Sequence, residues 1–184
     1  MDKQIMEALK GIRSENDKVR AKHFNFLLPL SEKQPELLYQ YWNEFVTMLR
    51  KPEVSNKYYA IHLIPNLLPV DKEDQFGRIF DEFYLLLNDE SPVVANHTAD
   101  KSAKIIKFKP QYEIKIVDLL LQIDKTSKCR HLELQKAYII KTFDEAFDQI
   151  SKKEEVIKFV TDLMKSTSPK TKKAAKAFLA QRGK

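Results

Sequence analysis

Apolar side chains recur with a helical period along almost the whole 184-residue chain. In residues 35–51 they fill one stripe at spacings of three and four: Leu37, Leu38, Tyr41, Trp42, Phe45, Val46 and Leu49. The same spacing returns in residues 74–89, 112–124 and 154–166. Such spacing gives one broad apolar face on an α-helix, whereas a half-buried strand alternates with a period of two. No window of comparable length alternates in that way, so the sequence predicts an all-α protein.

A second set of helices, with smaller apolar faces, is predicted between these segments, and the pairs recur. Pro52 and Pro92 occupy matching positions in successive units, and the segment 91–103 aligns with 168–180 two units further on. A period of roughly 38 residues with two helices per unit is the signature of an α-solenoid. We therefore predict one domain over 1–184. Its approximate repeats are 1–30, 31–70, 71–110, 111–150 and 151–184.

The second helices carry the motifs of a known repeat family. The stretches NDKVRAKHFNFLL, KPEVSNKYYAIHL and ESPVVANHTADKSA place a valine near the helix start, at Val19, Val54 and Val94. They resemble HEAT repeats, whose second helices tend to read Asp/Ser-Pro-x-Val-Arg-x-x-Ala-x-x-x-Leu. The family's arginine is present here once, as Arg20. The resemblance implies a right-handed α-α superhelix of about five helix pairs, with second helices on the concave side. It also implies binding of proteins, peptides or nucleic acids along that groove.

The C-terminal stretch SPKTKKAAKAFLAQRGK resembles a basic tail when it is taken alone. However, Ala174, Ala175, Phe178 and Leu179 fall at helical spacing, and the lysines lie off that stripe. A disordered arm has no need of apolar residues in that phase. We predict a folded second helix of the fifth repeat.

The charge is unevenly distributed. Residues 1–100 carry 12 Lys and Arg against 16 Asp and Glu, whereas residues 101–184 carry 20 against 10. At solenoid spacing these cations predict a basic stripe on the concave side. Its members are Lys101, Lys104, Lys107, Arg130, Lys136, Lys172, Lys173 and Lys176. Solvated helix faces of a lysine-rich chain explain the same pattern equally well.

No convergent catalytic set is evident. Three glycines leave no phosphate-binding loop. Cys129 and His131, placed on one helix, point about 200° apart and cannot act as a nucleophile and its base. The histidines, at 23, 62, 97 and 131, follow the repeat phase, so we predict no metal site. Some HEAT-like proteins are DNA glycosylases that use a tryptophan and an aspartate, but Trp42 lies on the apolar stripe without a matching aspartate.

These observations predict a non-enzymatic scaffold that binds a protein partner through its concave surface, without a cofactor. The alternative is a nucleic-acid-binding protein that uses the basic half, related to HEAT-like DNA-repair proteins. If nucleic acid binds, backbone charge carries the binding, because lysine greatly outnumbers arginine and few aromatic residues accompany it. The single cysteine, the lack of a signal peptide and the lack of a long apolar run predict a cytoplasmic protein without membrane contact.

Overall fold

The structure is a computed structural model that describes residues 2–183. It divides into two compact units, the first ending at Ile79 and the second beginning at Phe80. The described residues contain twelve α-helices, five short 3-10 helices and no strand. The all-α prediction is therefore confirmed. The right-handed solenoid and its repeat boundaries stay predictions.

Five α-helices lie wholly within the described part of the first unit. They are α1 (Asp2–Gly11), α2 (Asp17–Lys33), α3 (Pro35–Tyr39), α4 (Trp42–Leu49) and α5 (Val54–Leu67). Helix α2 packs against α1, α3 and α5, and α4 packs against α5. Asn16 caps α2 by accepting hydrogen bonds from the backbone N–H groups of Lys18 and Val19. The unit boundary falls within α6 (Gln75–Leu85).

The second unit continues with α7 (Pro92–Phe108), α8 (Glu113–Leu121), α9 (Ile123–Thr126), α10 (Leu132–Ala146), α11 (Lys153–Asp162) and α12 (Pro169–Arg182). Helix α10 packs against both α7 and α12, so these three helices lie side by side with α10 in the middle. Each corresponds to a predicted second helix. Their buried faces hold small and branched side chains, and Thr142 Oγ1 of α10 donates a hydrogen bond to the Ala99 carbonyl of α7 at 2.5 Å.

Two predicted first helices are interrupted. The apolar stripe over 35–51 is split between α3 and α4, and the one over 112–124 is divided between α8 and α9. Prolines occur in two settings along the described helices. Pro35, Pro92 and Pro169 begin helices, whereas Pro29 lies inside α2 and Pro65 lies inside α5.

The C-terminal helix forms as predicted. Ser168 caps α12 by accepting a hydrogen bond from the Thr171 backbone N–H, and Ala175 and Phe178 are buried. The Phe178 ring meets Phe147 edge-on at a centroid distance of 5.5 Å. Arg182 Nε reaches Asp144 of α10 at 3.1 Å. The basic stretch is a packed helix over these residues, while Lys184 lies outside the described residues.

Candidate interaction surface

The eight cations of the predicted stripe do not share one set of surroundings. Lys136 is the clearest exception, because its side chain is 8% exposed and its ammonium lies between two carboxylates. Asp124 is 2.6 Å away and Glu133 is 2.5 Å away. Burial by itself lowers the pKa of Lys136, but the two carboxylates outweigh it and raise the pKa. Lys136 therefore joins α10 to α9 and does not face solvent, unlike the position that the predicted stripe gives it.

Arg130 also lies apart from the helix faces. It precedes α10, is largely exposed, and approaches the Glu90 carboxylate at 3.4 Å. An exposed pair of this kind contributes little stability and leaves the guanidinium accessible.

Lys104 and Lys107 line a groove between the C-terminal ends of α7 and α10. The groove has a volume of about 570 Å³. Phe108 forms part of its wall, and Glu145 and Asp148 face the lysines from the α10 side. The groove is thus of mixed charge, unlike the purely cationic stripe that we predicted.

The α12 lysines point in different directions. Lys172, Lys173 and Lys176 are exposed, and none has a carboxylate within 4 Å among residues 2–183. Lys172 follows Lys170 by two residues, so the two side chains lie about 200° apart around the helix. Lys173 lies about 60° from Lys170 on the same geometry. Only Lys173 of these three is therefore directed near the side of α12 that carries Lys170.

An imidazole, a phenol ring and an ammonium group line up across α7, α10 and α12. The His97 and Tyr138 ring centroids are 6.1 Å apart. Lys170 Nζ lies 4.1 Å from the centroid of the Tyr138 ring, which is a cation–π contact. The Tyr138 side chain is half-buried, and its hydroxyl has no hydrogen-bond partner within the part of the chain that the structure describes. The helices α7, α10 and α12 thus each contribute one member to the row.

Two further lysines border this row. Lys141 of α10 donates to the Asp100 carboxylate of α7 at 2.6 Å, and Lys101 lies 3.3 Å from the same carboxylate. Glu145 approaches Lys141 at 3.5 Å. We call His97, Lys101, Tyr138, Lys141 and Lys170 the basic–aromatic patch. Two of its lysines, Lys101 and Lys141, contact the Asp100 carboxylate, whose side chain is 10% exposed, and the third, Lys170, lies over the Tyr138 ring.

Burial and neighbouring charges together set the protonation states of Asp100 and His97. Burial raises the pKa of Asp100 by itself, but the Lys141 hydrogen bond and the charges of both lysines lower it overall. Burial lowers the pKa of His97, and the nearby lysines add to that effect against the opposing charge of Asp100. At neutral pH, Asp100 is therefore ionised and His97 is neutral. The positive charge of the patch comes from its lysines.

The sequence pattern missed this patch for an identifiable reason. Tyr138 lies four residues after Leu134, at a spacing that is typical of a core stripe, and the position of His97 in the sequence is explained by the repeat phase alone. In the structure both are half-buried rather than core residues. Only their position beside lysines of a neighbouring helix marks them as functional candidates. That position becomes visible only when the packing order of α7, α10 and α12 is known.

The first unit carries a separate aromatic cluster on α2 and α5. Phe24 stacks on Tyr59 at 4.5 Å, and Tyr58 lies 4.4 Å from His62. Phe26, 39% exposed, lines a small groove of about 240 Å³ beside His23. Phe24 and Tyr59 are buried and Tyr58 and His62 are half-buried, so the cluster resembles a core edge more than a binding surface.

The side chains considered for catalysis, those of Cys129, His131 and Trp42, lie in surroundings that do not form a catalytic site. Cys129 and His131 precede α10, so our placement of both on one helix is wrong. Burial raises the pKa of the Cys129 thiol, which keeps it protonated and a poor nucleophile. Trp42 is buried, as its place on the apolar stripe predicts. Within residues 2–183, no three His, Cys, Asp or Glu side chains are grouped so as to hold a metal ion.

Comparison of the chain with protein families, with curated proteins and with solved structures finds no match. None of the described helices is both long enough and apolar enough to cross a membrane.

Proposed function

We propose that this protein is a non-enzymatic interaction module that binds a partner protein through the solvent-facing sides of α7, α10 and α12. The observation that carries the proposal is the basic–aromatic patch. It combines a half-buried tyrosine, an imidazole and three lysines on helices that pack side by side. Aromatic side chains with one polar end are typical anchors of protein interfaces, and charges around them select the partner.

Carboxylates within the same surface favour a protein partner over nucleic acid. Asp100 lies between Lys101 and Lys141, and Glu145 adjoins Lys141. A nucleic acid presents a continuous row of phosphates, which these carboxylates would repel. A folded partner or a peptide carries both signs of charge and can match such a mixed pattern.

Affinity purification with paired charge reversals tests the proposal. Lys170→Glu alters the patch, and it places an acidic residue in the first turn of α12, where the helix dipole favours it. Lys158→Glu makes the same change at an exposed lysine of α11, a helix that contributes no member to the patch, and serves as the control. After nuclease treatment, we expect wild type and Lys158→Glu to retain the same protein and Lys170→Glu to lose it. Equal retention by all three proteins would refute this surface.

Nucleic-acid binding is the second candidate, and one observation favours it. Lys172, Lys173 and Lys176 are exposed on α12 without an ion-pair partner among the described residues. Fluorescence anisotropy of a labelled duplex and a labelled single strand, titrated at several salt concentrations, tests it. Binding that weakens steeply with salt and is lost when all three become Glu would support this candidate. Binding that is absent at low salt would exclude it.

The proposal brings with it the sequence-based expectation of a HEAT-like right-handed solenoid, in which second helices form the concave side. The side-by-side order of α7, α10 and α12 supports that expectation for the second unit. The cytoplasmic location and the lack of a cofactor are parts of the same hypothesis.

A further inference from the structure

We infer that the occupant of the basic–aromatic patch is an acidic peptide segment of the partner, with an apolar residue beside its carboxylates. The inference rests on the proposed function and specifies the chemistry of the partner. Its basis is threefold: the charge of the patch, the apolar side chains beside it, and two polar groups with open positions. Among residues 2–183, the Tyr138 hydroxyl has no hydrogen-bond partner and the Lys170 ammonium has no carboxylate within 4 Å.

The charge of the patch calls for an anion. Lys101 and Lys141 share the Asp100 carboxylate, and Glu145 approaches Lys141 at 3.5 Å. Lys170 has no carboxylate within 4 Å among residues 2–183, and its ammonium rests on the Tyr138 ring instead. Because His97 is held neutral by burial and by its cationic neighbours, the imbalance comes from lysine ammonium groups. A cationic partner segment would be repelled here, and an acidic one would be attracted.

The geometry of the row suits a carboxylate. The Tyr138 hydroxyl, which lacks a partner in the described chain, can donate a hydrogen bond to an incoming oxygen. Lys170 lies over the same ring, so its ammonium can contact the same group. One carboxylate of the partner can then receive a phenol O–H and an ammonium N–H together, and charge-assisted hydrogen bonds of this kind are the stronger ones.

Apolar side chains adjoin the charged groups and provide the second half of the recognition. Val93 lies one helical turn before His97 on α7 and is 45% exposed. Leu134 lies one turn before Tyr138 on α10 and is half-buried. These positions form an apolar margin on the N-terminal side of the row. An acidic segment with one aliphatic or aromatic residue can bury that residue against this margin while its carboxylates meet the lysines.

A nucleic acid meets the same lysines less well. The Asp100 carboxylate lies between two of them, and the groove beyond Lys104 is bordered by Glu145 and Asp148. A phosphate backbone along this path would approach three carboxylates, whereas a short acidic peptide can place its charges selectively. The peptide is therefore the occupant that the surface favours, and nucleic acid is an outcome of the test.

Peptide display on the intact chain tests the inference. Random 12-residue peptides are selected against immobilised wild type, and enriched sequences are made as fluorescein-labelled peptides for anisotropy titration. We expect an excess of Asp and Glu over the starting library. We expect Lys158→Glu to bind as wild type, and Lys170→Glu to bind about tenfold more weakly, since it exchanges an attraction for a repulsion. Tyr138→Phe, which keeps the ring, should lose a smaller part of the affinity than Tyr138→Ala.

Each contrary outcome has a defined meaning. Enriched peptides without an acidic excess, no enrichment at all, or equal binding by Lys170→Glu overturn the inference. If the nuclease-treated capture still depends on Lys170 in those cases, the proposed function stands and only the acidic partner is wrong. A labelled single strand that binds wild type but not Lys170→Glu at physiological salt, in the absence of any enriched acidic peptide, assigns the patch to nucleic acid and overturns both. Circular dichroism of Lys170→Glu confirms that the comparison is made on a folded chain.

Discussion

Replacement of Lys136 tests whether this residue has a structural role or belongs to a binding surface. Its ammonium contacts Asp124 and Glu133, and its side chain is buried. Lys136→Met keeps most of the buried stem and removes the charge. Lys136→Ala removes the stem as well. The pair of variants separates the ionic contribution from the packing contribution.

The expected magnitudes follow from the exposure of the partners. A hydrogen bond to a charged group is worth about 1.5–3 kcal/mol when its partners are buried. Asp124 and Glu133 are 54% and 37% exposed, so water can replace the lost contacts, and exposed pairs are worth about 0.2–1 kcal/mol each. We therefore expect Lys136→Met to lower the free energy of unfolding by about 1–2 kcal/mol. Lys136→Ala loses three further buried methylene groups, which adds about 2 kcal/mol.

The pH dependence gives a second, independent measurement. The Lys136 hydrogen bond, followed by that of Ser166, lowers the pKa of Glu133 below its ordinary 4.5. A lowered carboxyl pKa means stability that is present above the ordinary value and is lost as the pH falls through the folded value. The raised pKa of Lys136 gives stability that is present below 10.5 and is lost at higher pH. The difference between wild type and Lys136→Met should be constant from about pH 5 to pH 10 and shrink in acid.

Urea denaturation followed by circular dichroism measures these differences, since urea, unlike guanidinium chloride, does not screen charges. Two results would contradict the structural role of the Lys136 charge. One is a Lys136→Met protein as stable as wild type together with a destabilised Lys136→Ala protein, which would assign the whole effect to packing. The other is a loss of partner or nucleic-acid binding in Lys136→Met with unchanged stability, which would return Lys136 to the binding surface.

Three further changes test other parts of the structure. Tyr39→Phe removes a 2.7 Å hydrogen bond to buried Asp71 and should lower the free energy of unfolding by about 1–2 kcal/mol. Burial, together with the bond to Asp71, raises the Tyr39 pKa to about 12, so the greater stability of wild type over Tyr39→Phe should disappear as the pH rises from 10 to 12. Gly11→Ala places a methyl group 2.0 Å from the His23 ring and should lower the free energy of unfolding by about 1–2 kcal/mol, a loss that the double variant Gly11→Ala/His23→Ala should recover. Additive effects of the two changes in the double variant would refute the clash. Phe178→Ala should cost about 3–5 kcal/mol in urea denaturation, whereas a disordered tail would show no change.

The helices of this chain follow from local patterns, and particular residues show why. The stripe that contains Phe178 identified α12 as a packed helix in spite of its lysines, and Trp42 was placed in the core by its neighbours at four-residue spacing. The local pattern predicts the ends of helices less well. The segment after Leu121 breaks into the short helix α9, and Cys129 and His131 precede α10 rather than lie on it. Turn geometry at these points depends on contacts with other helices, which periodicity does not encode.

The all-α class and the C-terminal helix could be predicted from the amino-acid order, because an amphipathic period of 3.6 residues is a property of each segment alone. Which lysines face solvent depends instead on how the helices pack. Lys136 and Lys141 lie on the same helix, yet one is enclosed by carboxylates of α9 and α10 and the other borders the basic–aromatic patch. The row of His97, Tyr138 and Lys170 joins three positions that are far apart in the sequence, and it exists because α10 packs between α7 and α12. Charge and helical phase are local, whereas proximity between helices is fixed by the packing of the core.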